Sequence, residues 1–425
     1  MGSTATIQDV VDRHLCMGCG TCAAARPDVV RMVDTVAHGR RPVIATDLDD
    51  GASRALAASC PGRAIDAVEP PLSASNDGYD HTAWGPILEV WEGYATDEAL
   101  RFSAASGGVV SALSLFCVEA KDYAGAIQVR AREDQPLLNE TVISRSRSDV
   151  MAASASRYAP ASPCERLADV RGSEAPHVFV GKPCDVAGAS RLAAQDESVK
   201  DGIGLSISIF CAGTPSLAAT RELLAHLGLE QEDQVLDVRY RGRGWPGRMT
   251  VKYRSHSSGE ILSASTSYAE GWGQILQKHT QWRCRLCADH MGDHADLSIG
   301  DPWYRPVAED DPGQSLIVIR TERGRQVVRE AMRSGVLSLE PRSVKTLAAS
   351  QPNLERTKGA VFARSLTARM MGAAAPKYPN AALHRVWWRA LSPVEKLQSV
   401  IGTLKRLLGK GLLRSERAEL LESQP

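Results

Sequence analysis

Several things are absent from this 425-residue chain. No apolar run approaches the roughly 18 residues that a membrane-crossing helix needs. The longest, Val109–Val118 and Leu205–Ala212, are short and interrupted by serine or cysteine. There is no charge excess: Lys and Arg number 50, Asp and Glu 50. That balance argues against a dedicated nucleic-acid binder, whose footprint is basic. A basic-then-apolar leader is missing too, since Asp9, Asp12, Arg13 and His14 crowd the start. The expected location is therefore the cytoplasm, where thiols stay reduced.

Ten cysteines are present, and in a reducing compartment they point to metal or redox chemistry rather than a disulfide framework. Hydrophobic residues make up 43% and charged residues 24%, which is globular, not disordered, composition. The length allows roughly two to three domains.

Residues 1–75 form a compact cysteine-bearing segment, closed by a Pro70-Pro71 and Ser73–Gly78 linker. Helix-like and strand-like stretches then alternate, predicting an α/β domain that runs over 84–165 and 166–345. Helical spacing marks Gly108–Ala120 and Arg325–Ser334; buried strands are expected at His177–Val180, Leu205–Cys211 and Leu316–Arg320. The remainder, 351–425, reads as a helical tail. Ser392-Pro393-Val394-Glu395 is a capping-box helix start. Leu397, Ile401, Leu404 and Leu408 follow at helical spacing. This amphipathic face predicts docking on the protein's own body or a partner, with shallow attachment to an anionic membrane as the alternative.

Cys16, Cys19 and Cys22 form a C-x₂-C-x₂-C run, and Cys60-Pro61 lies further on. A four-iron cube needs four converging thiolates, and two-residue spacers let one tight loop supply three. Arg26 stands where two-cluster ferredoxins carry an extra cysteine, so one 4Fe-4S cluster is expected here. Zinc is the alternative for four thiolates. A second set, Cys184, Cys211, Cys284 and Cys287, combines two strand-end cysteines with a C-x₂-C knuckle. Such residues can meet at a sheet edge, where open α/β domains bind ligands. Cys117 and Cys164 read as small apolar fillers.

Six phrases in order carry a resemblance: Ala105–Leu113, Ser156–Pro160, Val180–Cys184, Ile209–Pro215, Tyr240–Gly247, and Cys284 through Asp301-Pro302-Trp303. Residues 84–340 resemble the β-subunit family of coenzyme F420 hydrogenases and dehydrogenases, iron–sulfur flavoproteins. The fused N-terminal segment is similar to that of longer members, including the 7-hydroxymethyl chlorophyll a reductase and divinyl chlorophyllide reductase types.

The resemblance implies that Cys184, Cys211, Cys284 and Cys287 hold a second 4Fe-4S cluster beside FAD. It also implies that Ser106, Gly107 and Gly108 approach the FAD pyrophosphate, and that Arg157, Tyr158, Lys182, Arg241, Gly242, Gly244 and Trp245 line the cofactor. The expected chemistry carries electrons from a ferredoxin-like donor through two clusters to FAD and a small organic substrate. The alternatives are an electron-entry subunit using coenzyme F420, and a zinc-stabilised non-redox protein. No catalytic pair stands out. His279, His290 and His294, near the knuckle, are candidate proton donors, with a structural role the favoured reading for each.

Overall fold

The computed structural model describes residues 4–44, 48–69, 79–308 and 310–416. The expected linker at Pro70–Gly78 lies outside the described residues. The predicted α/β class holds, with a parallel centre and antiparallel margins.

Thirteen strands are described. β1 (Val30–Thr35) and β2 (Gly39–Ile44) form an antiparallel ribbon in the N-terminal segment. The others are β3 (Glu89–Ala95), β4 (Gly125–Ala131), β5 (Asn139–Ser144), β6 (His177–Gly181), β7 (Ile203–Ile209), β8 (Gln234–Arg239), β9 (Arg248–Arg254), β10 (Ile261–Ser267), β11 (Leu297–Gly300), β12 (Ser315–Ile319) and β13 (Leu337–Arg342). Eight build the main sheet in the order β13-β3-β12-β11-β7-β6-β4-β5. Its inner pairs β4–β6, β6–β7 and β7–β11 are parallel. β8, β9 and β10 make a separate antiparallel sheet.

The predicted strands appear within about two residues of their expected bounds, because β6, β7 and β12 are apolar runs ended by glycine, cysteine or arginine. Helix Val109–Ala120 packs on the main sheet through Leu113 and Cys117, both without exposure, in one core with Ile207, Leu297 and Ile317 of the strands and Val328 of helix Glu322–Arg333. Burying a leucine in this way stabilises by about 1.5–3 kcal/mol relative to exposure. Cys117 is a filler in this core, and burial pushes its thiol up to about 12.

The N-terminal segment starts with helix Ile7–Asp12, capped reciprocally by Thr6 and Asp9. It docks onto the main body through short bonds: Cys164 N–H donates to the Cys19 carbonyl at 2.9 Å, and Ser162 Oγ to the Gly18 carbonyl at 2.7 Å.

The tail is three helices, Leu354–Met370, Leu383–Ala390 and Pro393–Gly409. The last begins with the expected Ser392/Glu395 capping box. Its packing is a correction to docking on the body through the leucine face: the side turned to the body carries Ser399, Thr403 and Leu407, while Leu397, Ile401 and Leu408 are exposed. Thr403 satisfies its hydroxyl on the Ser399 carbonyl at 2.7 Å, so small polar residues can face inward and let the helices approach closely. No helix among the described residues is long and apolar enough to cross a membrane.

Candidate functional site

The loop Cys16–Cys22 is wrapped tightly enough that Gly18, at φ +74°, leaves no room for a side chain: a Cβ would lie 2.5 Å from the Arg40 carbonyl oxygen. Gly18 N–H donates to Cys16 Sγ at 3.4 Å. Cys60 follows helix Asp50–Ser59 and returns to this loop. Cys16, Cys22 and Cys60 share one buried cluster with Ile7, Leu15 and Leu56, and Cys19 adjoins them.

The second quartet is assembled from three places. Cys184 opens helix Pro183–Ala193, just after β6. Cys211 lies just past β7, its N–H donating to the His290 carbonyl at 2.9 Å. Cys284 and Cys287 come from the knuckle after Trp282. Backbone N–H groups of Gly213 and Thr214 donate to Cys211 Sγ and Cys284 Sγ, each at 3.4 Å. The four are close enough for their charges to interact.

Burial raises the thiols of Cys16, Cys22 and Cys184, lifts Cys60 and Cys211 to about 12, and lifts Cys287 to about 11. Such thiols are poor nucleophiles at neutral pH. They become thiolates when a metal centre replaces the proton. Cys19 departs from the rest, held below its ordinary value by the Cys164 thiol beside it.

Two arginines decide what the quartets are built for. Arg41, fully buried, lies between Cys16 and Cys284, and Arg283, with no exposed surface, sits among Cys184, Cys284 and Cys287. Arg283 spends Nε and Nη2 on the carbonyls of Gly62 and Pro61, 3.1 and 2.9 Å away, which ties it to the Cys60 turn. Neither arginine has a carboxylate within 4 Å among the described residues. An unpaired buried cation costs several kcal/mol; beside these two stand cysteines of the quartets, with the Tyr378 hydroxyl 3.0 Å from Arg283 Nη1 and Gln281 Oε1 accepting from Arg41. The donor set thus fits two negatively charged thiolate centres.

Beside the second quartet lies a cavity of about 680 Å³, within the range of cofactor sites. Cys211 and Cys284 border it. One wall is the start of helix Val109–Ala120, where Gly108 caps without a side-chain bond and leaves backbone N–H groups for an anion. The facing wall is aromatic: Tyr158 and Trp272 have ring centroids 4.9 Å apart, and Tyr268 stacks on Trp303 at 5.4 Å. A flat ring system carrying a phosphate fits these two walls.

Of the expected cofactor residues, Ser106, Gly108, Arg157, Tyr158, Lys182 and Arg241 line this cavity; Gly107, Gly242, Gly244 and Trp245 are not among its lining. Gly107 is packed against the sheet, where a Cβ would come within 2.6 Å of the Gly93 carbonyl oxygen. Trp245 Nε1 and the Arg241 guanidinium both grip Asp301, at 2.9 Å and at 2.8 and 2.9 Å. The cations are largely spoken for. Arg157 bonds Asn139 Oδ1 and the carbonyls of Val238 and Pro136, and Lys182 pairs with Asp185 at 2.6 Å. Those side chains shape the wall more than they offer free charge.

Among the three histidines, His290 borders the cavity, its Nδ1 2.9 Å from the Cys211 carbonyl and its Nε2 unpartnered. His279 pairs with Glu222, and His294 meets the Asp66 carbonyl. Sequence reasoning passed over Arg41 and Arg283. The only local signal was that Arg283 sits inside the Trp282–Cys284 phrase.

Residues 90–168 match the N-terminal model, and 177–345 the C-terminal model, of the coenzyme F420 hydrogenase/dehydrogenase beta subunit, together more than half of the chain. The chain belongs to this beta-subunit family. Residues 10–67 match a 4Fe-4S single cluster domain, which agrees with one cluster, not two, in that segment. The family is one of oxidoreductase subunits, and this member carries an iron–sulfur domain at its start.

Among curated relatives, the coenzyme F420 hydrogenase subunit beta of Methanococcus voltae is 25% identical over 57% of this chain and 80% of its own length. The F420-dependent formate dehydrogenase subunit beta of Methanocaldococcus jannaschii is 26% identical over 60% of this chain and 62% of its own length. A chain of the F420-reducing nickel–iron hydrogenase complex from Methanosarcina barkeri shares the fold, with TM-score 0.52 and 18% identity, covering 68% of this chain and 95% of that one. The family match ends at residue 345, so the tail helices lie beyond it.

Proposed function

We propose that this family member is an iron–sulfur flavoprotein oxidoreductase. In this reading Cys16, Cys19, Cys22 and Cys60 hold one 4Fe-4S cluster, Cys184, Cys211, Cys284 and Cys287 hold a second, and the 680 Å³ cavity takes FAD beside a small organic substrate. The observation that supports it is the pair Arg41 and Arg283, buried cations with no carboxylate within 4 Å among the described residues and with cysteines of the two quartets beside them. Bound there, the clusters would supply one-electron transfer, and FAD would convert single electrons into hydride transfer.

The chain's own residues do the positioning. Arg41 and Arg283 neutralise the sulfurs, the N-terminus of Val109–Ala120 offers N–H groups to phosphate, and Tyr158, Tyr268, Trp272 and Trp303 cover the ring. A ferredoxin-like carrier is the donor in this reading. A second reading, in which coenzyme F420 exchanges hydride with the flavin and a partner subunit takes the electrons, is favoured by the F420-linked names of both curated relatives.

Anaerobic purification tests the proposal. The expected result is brown protein with about eight irons per chain and FAD released on boiling; colourless, zinc-bearing protein without flavin would refute it. Reduction of the holoprotein by reduced coenzyme F420 against reduced ferredoxin then separates the two readings.

A further inference from the structure

Two guanidinium groups line the edge of the cavity and a third stands within electrostatic reach of both, each from a separate element. Arg285 directly follows Cys284, Arg364 lies midway along Leu354–Met370, and Arg406 is near the end of Pro393–Gly409. Arg285 and Arg364 line the cavity, and the charge of Arg406 reaches both. Each spends one nitrogen on a backbone carbonyl: Arg364 Nη1 on Arg285 at 3.0 Å, Arg285 Nη2 on Gln277 at 2.9 Å, and Arg406 Nη1 on Gly402 at 2.9 Å. Most of each donor fork is left over. No carboxylate lies within 4 Å of any of the three among the described residues.

This differs from the rest of the wall, where Arg157, Arg241 and Lys182 are bonded out. We infer that Arg285, Arg364 and Arg406 form an oxyanion-binding rim that recognises the phosphate or carboxylate groups of a small, multiply charged substrate entering the cavity. Guanidinium forks match both kinds of oxyanion in a planar, bidentate way. Half-buried like charges repel, and a bound anion would relieve that. In keeping with this, burial and the neighbouring Arg406 and Arg285 hold Arg364 down to about 10. Two of the three arginines belong to the tail beyond the family match, so the tail brings to the cavity a charge that the matched region does not contain. The inference rests on the reading that this cavity holds flavin and substrate.

The test uses the full-length holoprotein and two probes, inorganic pyrophosphate and triglutamate, titrated calorimetrically at low salt. Wild type is compared with Arg364→Gln and Arg406→Gln, and with Arg254→Gln on the distant β9 as a charge control. At least one probe should bind wild type and the control about tenfold more tightly than either rim variant. Which probe responds distinguishes a phosphate from a carboxylate ligand. Flavin content should be equal in all four proteins.

Equal affinity across the four, or no binding to wild type, overturns the inference. Loss of flavin from the rim variants also overturns it, since the arginines would then serve the flavin's own pyrophosphate. Should Arg364→Gln misfold, the half-exposed Arg406→Gln decides alone. Wild-type protein that lacks flavin yet binds a probe through the arginines would refute the proposed function and leave the anion rim standing.

Discussion

At Cys164 a thiol stands in a closely packed core with Leu167, Phe179 and Val186. It is fully buried, its Sγ is 3.2 Å from the Asp185 carbonyl, and it also meets the Cys19 sulfur. The sequence offered only Ser162-Pro163-Cys164, a context in which a small filler is the natural reading, because the contact with Cys19 is made across 145 positions of chain. A hydrogen bond to a charged acceptor is worth about 1.5 kcal/mol or more, and tenfold in a one-electron equilibrium is 59 mV. The Cys164 S–H is given to the Asp185 carbonyl and can only be shared with Cys19, so Cys164→Ala should lower the midpoint potential of the first cluster by no more than on the order of 50 mV, with iron content unchanged. An unchanged potential in a redox titration followed by spin resonance would remove Cys164 from the tuning of that cluster. Arg283 gives a stronger expectation. Arg283→Gln removes the charge that faces Cys184, Cys284 and Cys287, and iron should fall by about half while the first quartet stays loaded. Full iron in that variant would detach the arginine from the site. The C-x₂-C spacings of Cys16, Cys19 and Cys22 and of Cys284 and Cys287 could be read from the chain, since they are local; the approach of Cys184 and Cys211 to that knuckle is not local. The arginines could not, because a guanidinium's burial is a property of the folded core.

Helix Pro393–Gly409 shows how an element can be right in its bounds and reversed in its orientation. Ser392 and Glu395 set its start by local hydrogen bonds, which the sequence specifies. Leu397, Ile401 and Leu408 of its leucine row nevertheless face outward, because its inward side packs Leu407 with the small Ala368 and Ala373 and buries Ser399 and Thr403. Amphipathic periodicity says that two faces differ, not which neighbour each will meet. Leu407→Ala should cost about 2–5 kcal/mol, whereas Leu397→Ser should change stability by no more than about 0.5 kcal/mol. Chemical denaturation of the two variants checks this; a larger loss from Leu397→Ser would mean that the exposed row is packed after all. Three of the eight main-sheet strands, β6, β7 and β12, were legible because they are short runs rich in isoleucine, leucine and valine that end at glycine, cysteine or arginine. The separate sheet β8–β10 was not, since its strands carry many polar and exposed residues.

Across the whole molecule, the tail is a clamp between parts that sequence order keeps far apart. Tyr378 hydroxyl meets Arg283 Nη1 at 3.0 Å, accepts from the Ala288 N–H at 3.2 Å and donates to the Leu286 carbonyl. One residue earlier, Lys377 exchanges backbone bonds with Arg63 and Ile65, just after the Cys60 turn. Lys358 pairs with Asp293 at 3.3 Å, and Glu355 accepts from Trp84 Nε1 at 2.6 Å. The tail thus holds the knuckle, the Cys60 turn and the entry to β3 together, although none of its residues falls within the family match. A chain ended at residue 350 would uncover Arg283 and unpin both Cys284 and Cys287. We expect it to retain the first cluster, to lose about half of its iron and its flavin, and to lose probe binding at the cavity rim. Tyr378→Phe in the full chain is the milder counterpart: it keeps the ring over Arg283 and removes one hydroxyl from a buried network, costing about 1–3 kcal/mol. Its iron should be complete when isolated but released faster to a chelator than in wild type. If the shortened chain kept all its iron and flavin, the clamp would be dispensable, and the second quartet would be held by the family domain alone.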